Sequence, residues 1–306
     1  MISICIPIYN TEVTTLVTAL KSEIETNDLN AEIVLIDDAS DEYYCGLNKP
    51  LEVAVDAMVW LPKNVGRARI RNLFLKYAKG QYLLFLDSDG EIISNQFIQN
   101  YQKIITENKD VKVVYGGGGT QKEKPLTEKY LRWKFANERE NLPLLQRKRN
   151  KRLSFQTNNF LIDRDIFSQC LFEEQLTGYG YEDIVFAKDL KDRGINIFHI
   201  DNPVLNFYLD TNEAYLKKIE DSIDNLCFLL KNSPKRVEDI KLIKAYYLVN
   251  KLKLNSLLSR LFSSFGKEFL REKLLSGKVS LRYLDMYKLG LLLEKINPSV
   301  LRRDYL

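Results

Sequence analysis

Two pairs of acids carry most of the chemistry this sequence can offer. Asp87 and Asp89 stand two residues apart at the end of Tyr82–Gly90, YLLFLDSDG. Carboxylates so placed suit Mg²⁺ or Mn²⁺, which prefer hard oxygen ligands. The competing reading is a solvated turn, because Asp, Ser and Gly are turn residues. Glu182 and Asp183 close the second cluster, which runs Gly178, Tyr179, Gly180, Tyr181, Glu182, Asp183. Acids there can complement a helix N-terminus, and a carboxylate can also take a proton from a hydroxyl. His199, the single histidine, lies in an apolar run, where a packed side chain is the simpler reading. Cys5, Cys45, Cys170 and Cys227 are far apart and form no C-x-x-C pair, so zinc lacks a ligand set.

The elements that must position these acids follow from periodicity. Tyr82 to Leu86 is uncharged without alternation, as in a strand buried on both faces. Ile2–Ile8 and Glu32–Ile36 read as two further strands, and Val53–Trp60 as a third. Pro7 cannot donate a ladder hydrogen bond and belongs near its strand's end. Amphipathic spacing predicts helices over Thr11–Thr26, Asn64–Lys79 and Ser94–Asn108, with Asn10 or Thr11 and Ser94 as caps. This β-α-β-α-β order predicts an α/β fold with a mostly parallel, doubly wound sheet. Tyr9-Asn10, Asp37-Asp38 and Asp87-Ser88-Asp89 would then share the edge outside the carboxyl ends of the strands, where such sheets bind ligands.

Downstream, Val111–Tyr115 reads as a strand and Gly116–Gly119 as a flexible loop at its end, since the Lys-Ser/Thr and helix of a phosphate loop do not follow. Lys122–Arg152, with 11 positive and 4 negative residues, reads as an excursion over the sheet. Ser154–Ile162 is a strand, a short helix starts at Asp163, and Glu182 opens a helix ending near Gly194. From Thr211 the pattern is helical, with breaks expected at Pro234, Gly266, Gly277 and Gly290.

The 306 residues allow one long domain or two shorter ones, and the net charge of +4 is too small to imply nucleic acid. The charge is uneven: from Lys235 onward 16 basic residues face 7 acidic ones, whereas the rest carries 29 against 34. No run approaches the ~18 apolar residues of a membrane span. The chain enters a strand at once, without a basic, apolar leader, so a cytoplasmic protein is expected. A helical cap is the first reading of the basic C-terminal part. A surface resting on anionic lipid at the inner face of the cell membrane is the second.

Four segments in this order resemble family 2 glycosyltransferases of the GT-A fold: PIYN after the first strand, VLIDDAS at the second, NVGRARIRN, and LFLDSDG. The resemblance covers about the first 90 residues, and GYGYED resembles the acceptor-side motif of the same enzymes and the GWGxED of galactosyltransferases. It implies a GT-A catalytic domain over residues 1–210, with a nucleotide-sugar half (1–110) and an acceptor half (111–210), followed by a basic helical region over 211–306. Pro7, Tyr9, Asn10, Asp38, Arg71, Asp87 and Ser88 would bind the donor, a UDP-sugar. Within that set, Tyr9 and Asp38 would hold the base and Asp87 the ribose or sugar hydroxyls. Arg71 would reach the pyrophosphate or the base, against the alternative of a solvated helix arginine. Asp89 would ligate Mn²⁺ or Mg²⁺. Tyr179, Gly180, Tyr181 and Glu182 would meet a glycan or lipid-linked glycan acceptor, and Asp183 would be the catalytic base. Many relatives complete the metal site with a histidine where this chain has Asn206, so Asn206 or His199 would fill that role, or Asp89 and the diphosphate would hold the metal by themselves, or metal dependence would be reduced. The activity implied is inverting sugar transfer, as in surface polysaccharide synthesis. A degenerate sugar-nucleotide-binding or scaffold protein is the alternative, and a nucleotidyltransferase a more distant one.

Overall fold

The computed structural model describes residues 1–149, 154–276 and 280–296. In chain order the strands are β1 (Ile2–Ile8), β2 (Ala31–Asp37), β3 (Ala57–Trp60), β4 (Tyr82–Leu86), β5 (Glu91–Ile92), β6 (Val113–Tyr115), β7 (Gly118–Thr120), β8 (Asn159–Asp163), β9 (Ile197–His199) and β10 (Val204–Asn206). The helices are α1 (Thr14–Thr26), α2 (Glu42–Asn48), α3 (Arg67–Tyr77), α4 (Phe97–Glu107), α5 (Tyr130–Phe135), α6 (Leu144–Arg149), α7 (Arg164–Gln169) and α8 (Glu182–Asp192), then α9 (Asn212–Asn232), α10 (Lys241–Lys251), α11 (Asn255–Leu261), α12 (Lys267–Leu275) and α13 (Leu281–Lys295). They pack as two units. The first holds residues 1–122, 136–177 and 182–208; the second holds 123–135, 178–181 and 209 onward.

In the first unit, seven strands lie in the order β3-β2-β1-β4-β8-β6-β9. Only β8 runs against its neighbours; the other pairings among these strands are parallel. Alternate side chains of each strand go to opposite faces, and two cores result. Ile4, Ile6, Ile8, Leu84 and Leu86 meet Leu16, Val17 and Leu20 of α1 and Phe97, Ile98 and Tyr101 of α4. Cys5, Leu83 and Phe85 face Phe74 of α3, Phe167 of α7 and Phe186 of α8. Pro7 lies opposite Ile36 of β2 but beyond the last β1–β4 pair, Cys5 and Phe85, so its missing N–H breaks no bond to β4.

Several sequence expectations change. The segment 42–48 is helical, and the third strand starts only at Ala57. Neither expected N-cap acts as one. Asn10, at φ 51°, accepts the Asp41 N–H instead, and α1 starts at Thr14 without a side-chain cap. At α4 the buried Glu23 carboxylate accepts the N–H groups of Ile98 and Gln99, satisfying donors that Ser94 does not reach. The glycine run is no flexible loop: Gly118–Thr120 pairs with β10 in a small sheet ordered β5-β10-β7. A Cβ at Gly116 would collide with Tyr101 and Asn159, and one at Gly119 with Leu205. Glycine is thus required there by close approach rather than by looseness.

In the second unit, α13 packs against α9, α10, α11 and α12. Leu216, Ile219, Ile223, Leu226 and Leu230 give α9 its buried face. Two expected breaks are absent. Helix continues from α11 through a π turn (Phe262–Gly266) into α12. Gly290 lies inside α13, where the Phe262 ring occupies the space a side chain would need. Pro234 does fall in a 3-10 turn after α9. Gly277, the fourth expected break, lies outside the described residues.

Candidate active site

The parallel register of β1, β2 and β4 brings their carboxyl ends to one edge of the sheet. Asp38, just past β2, is buried, and its two carboxylate oxygens accept the N–H groups of Val65 (2.7 Å) and Gly66 (3.0 Å). It therefore holds the loop that launches α3, with Gly66 at φ 85°. Burial pushes its carboxyl above the usual range, and those two donors oppose the shift. Tyr9, directly after β1 in the chain, is exposed.

Arg71 is not a solvated helix arginine. It is 2% exposed and donates to Asp87 Oδ1 at 2.6 Å and to the Arg67 carbonyl at 3.0 Å. Burying a guanidinium is tolerable only when it is paired and hydrogen-bonded, and Asp87 supplies the counter-charge. Arg67 spans two acids. Its Nε sits 2.9 Å from Glu182 Oε1, and its Nη2 lies 3.6 Å from Asp87 Oδ2. Glu182 opens α8 and is buried. One half-exposed guanidinium thus ties the end of β4 to the start of α8.

Asp183 follows within the same helix turn. Desolvation first, then the charge of Glu182, pushes its carboxyl up to about 7, while Arg67 pulls the other way. A carboxylate tuned near neutrality suits a general base. Just before α8, Gly178, Gly180 and Tyr181 adopt φ values of 81°, 96° and 72°. Tyrosine pays for that left-handed backbone, a strain that clusters at functional sites. Residues 178–181 pack with the second unit: Asn225 donates to the carbonyls of Gly180 (3.1 Å) and Tyr179 (3.4 Å), and Lys218 lies 5.6 Å from the Tyr179 ring centre.

The Asp89 turn is held by the small sheet. Asp89 is exposed, and Asn206 of β10 donates to its Oδ2 at 2.6 Å while accepting the Tyr208 N–H. Desolvation and then the neighbouring charge of Asp87 push the Asp89 carboxyl up. No group of three or more His, Cys, Asp or Glu that could hold a metal occurs among the described residues. Asp89 and Asp87 nevertheless fit a cation of the Mg²⁺ or Mn²⁺ kind, which is commonly bound through one or two carboxylates plus substrate phosphates. Such a charge would also relieve the repulsion between the two acids. Asn206, with its amide N–H on Asp89, orients that carboxylate. His199 sits elsewhere in charge terms: Arg147 lies 3.3 Å from its Nδ1, and burial with that guanidinium lowers its pKa to about 4. A position beside a cation disfavours a second cation.

Three residues that the sequence did not single out shape this edge. Asn159 is fully buried and bonds Tyr101 Oη and the carbonyls of Gly117 and Asn202. Asn158 accepts the Asp87 N–H at 3.0 Å. Arg147, also buried, donates to the carbonyls of Gly116 and Ile200. Asn and Arg in polar stretches carry no periodic signal, so only the fold reveals them.

Comparisons with known proteins bear on the family and the fold. The chain is 35% identical over 131 residues to an uncharacterized glycosyltransferase of Rickettsia conorii, covering 38% of this chain and 22% of that one. It is 32% identical over 119 residues to the UDP-Glc:alpha-D-GlcNAc-diphosphoundecaprenol beta-1,3-glucosyltransferase WfgD of Escherichia coli, covering 38% of this chain and 45% of that one. The chain thus spans less than half the length of either relative. Among solved structures, a mannosyltransferase of Pyrobaculum calidifontis, crystallised with GDP-Man and Mn²⁺, superposes with a TM-score of 0.54 at 14% identity, over 96% of this chain and 86% of that one. That likeness establishes the GT-A type of fold. The profile of "Glycosyl transferase family 2" matches residues 3–171. That stretch is more than half of the chain and carries Asp38, Arg71, Asp87 and Asp89, so the chain belongs to glycosyl transferase family 2.

Proposed function

We propose that this protein transfers a sugar, with inversion, from a UDP-sugar to a hydroxyl of a glycan or lipid-linked glycan, as in the building of a surface polysaccharide. The observation that carries the reading is Arg67, which pairs with both Asp87 and Glu182 and so ties the end of β4 to the start of the helix that carries Asp183. The uridine donor and diphosphoundecaprenol-linked acceptor in the name of the Escherichia coli relative support the substrate classes.

In this reading Tyr9 and Asp38 bind the base side of the donor, with Pro7, Asn10 and Ser88 in the turns around it. Arg71 holds Asp87 through its 2.6 Å hydrogen bond, and Asp87 meets the ribose or sugar hydroxyls. A divalent cation held by Asp89, with Asn206 orienting that carboxylate, would stabilise charge on the leaving diphosphate. Tyr179, Gly180 and Tyr181, directly ahead of α8 in the chain, meet the acceptor, and Glu182 bonds its hydroxyls. Asp183 takes the proton of the attacking hydroxyl as the new bond forms. One base suffices for inversion, and no covalent enzyme intermediate is needed.

The test is Asp183→Asn assayed with a UDP-sugar panel. Transfer should drop by roughly 10²–10⁴-fold while calorimetric UDP binding in the presence of Mn²⁺ stays unchanged. Near-normal transfer by this variant would sink the assignment.

A further inference from the structure

We infer that the continuous helix formed by α11, the π turn and α12 is a docking face for an anionic lipid bilayer. Its apolar residues fall into two stripes. Phe262, Leu270 and Leu274 are buried against the rest of the helical unit. Leu257, Leu261, Phe265 and Phe269 are 54%, 41%, 64% and 49% exposed. These four recur at intervals of four residues, so they lie one above another along one side. A four-residue step drifts around an ordinary α-helix, and the wider π turn at Phe262–Gly266 takes up part of that drift. Leu252 and Leu254, 57% and 37% exposed, extend the stripe into the turn before α11.

A row of outward phenylalanines and leucines wastes hydrophobic burial unless something covers it. The charge around it says what. Residues 241–276 contain eight Lys and Arg against two Asp and Glu. Lys251, Lys253, Arg260 and Lys273 are all exposed. Lys273 places its Nζ 5.5 Å from the centre of the Phe269 ring, at the end of the stripe. Apolar side chains flanked by long cationic ones match the interface of an anionic membrane, where rings enter the acyl boundary and ammonium groups stay with the phosphates. A second copy of the chain would bring the same cationic excess against itself, which opposes self-association through this face. No helix of the described residues is long and apolar enough to cross a membrane, so the contact is peripheral. The inference is independent of the transfer chemistry, because its readout is lipid binding.

The experiment is flotation of the full chain with vesicles of phosphatidylcholine alone or containing about a third phosphatidylglycerol. Binding is expected only to the anionic vesicles and should weaken as salt shortens the screening length. Phe265→Ser with Phe269→Ser should cut the partition coefficient at least about tenfold, with an unchanged circular dichroism spectrum because both rings are exposed. Lys253→Glu, which leaves the stripe intact, should weaken binding several-fold. Equal binding to neutral vesicles, or full binding by the double variant, would overturn the proposal. So would a concentration-dependent dimer, seen by light scattering, that the double variant abolishes.

Discussion

Glu182→Gln removes a charge and keeps a shape, and it ought to move the acid limb of the pH–rate profile. In the wild type, desolvation and the Glu182 carboxylate hold Asp183 near pH 7. Only the ionised form can accept a proton, so kcat/KM should fall about tenfold per pH unit below 7, with roughly a tenth of the plateau left at pH 6. In the variant, the repulsion from residue 182 is gone. Arg67, whose Nε lies 2.9 Å from Glu182 in the wild type, then acts on Asp183 with its charge less compensated. Both changes favour the carboxylate, so the limb should shift downward by about one pH unit, equivalent to ~1.4 kcal/mol. The plateau itself should drop, because a weaker base accepts the proton less readily and because Glu182 is proposed to bond the acceptor. The assay is initial-rate kcat/KM from pH 5 to 9 in buffers of constant ionic strength. A wild-type profile flat down to pH 5, or a limb that stays in place in the variant, would refute the reasoning about Asp183.

Arg67→Met should move the same limb the opposite way, to higher pH, since Arg67 lowers the Asp183 pKa; because the guanidinium is 42% exposed, its loss should cost only about 1–2 kcal/mol of stability in urea unfolding, less than a fully buried pair. Asp183→Asn should stabilise the fold. A carboxyl whose pKa is raised on folding opposes folding fully above that folded pKa, and the penalty fades as pH falls toward the unfolded value. The gain should therefore be larger at pH 8 than at pH 5, by about 1–2 kcal/mol after allowing for partial exposure, and equal gains at both pH values would contradict the shift. Asp89→Asn should weaken Mn²⁺-dependent UDP binding about tenfold or more in calorimetry while leaving metal-free binding unchanged; unchanged affinity with Mn²⁺ would remove Asp89 from the metal site.

The sheet was legible because its strands are buried on both faces and read as unbroken apolar runs. β4 is the clearest case; its terminal acids, taken alone, are as compatible with a solvated turn, and they become site candidates beside Tyr9-Asn10 and Asp37-Asp38 at the same edge. Helix starts were harder to read. Glu23 caps α4 from another helix, and nothing local to Ser94 signals that. The glycines after β6 misled for a related reason: a glycine demanded by Asn159, Tyr101 or Leu205 looks in sequence like one that merely permits movement. Arg71 posed the same problem. An arginine on a helix is solvated by default, and only the fold places it beside Asp87. Asp183 became a candidate base only through the resemblance of its motif, whereas its environment follows from Glu182 and Arg67 converging from two helices.

The reversed strand β8 has a bearing on how the molecule assembles. β4 takes its parallel partner, β1, early in the chain, but its other side is completed by β8, where Asn159 lies opposite Leu86 across a separation of roughly 70 residues. The Asp87 N–H is likewise closed off by Asn158. During synthesis the first four strands can pair before β8 has left the ribosome, and β4 would then present an unpaired apolar edge open to the wrong partner. The edge that carries Asp87 is thus completed by a strand that is synthesised late. Chains cut short ahead of residue 158 would keep Asp87 and Asp89 and lose the strand that pairs with β4.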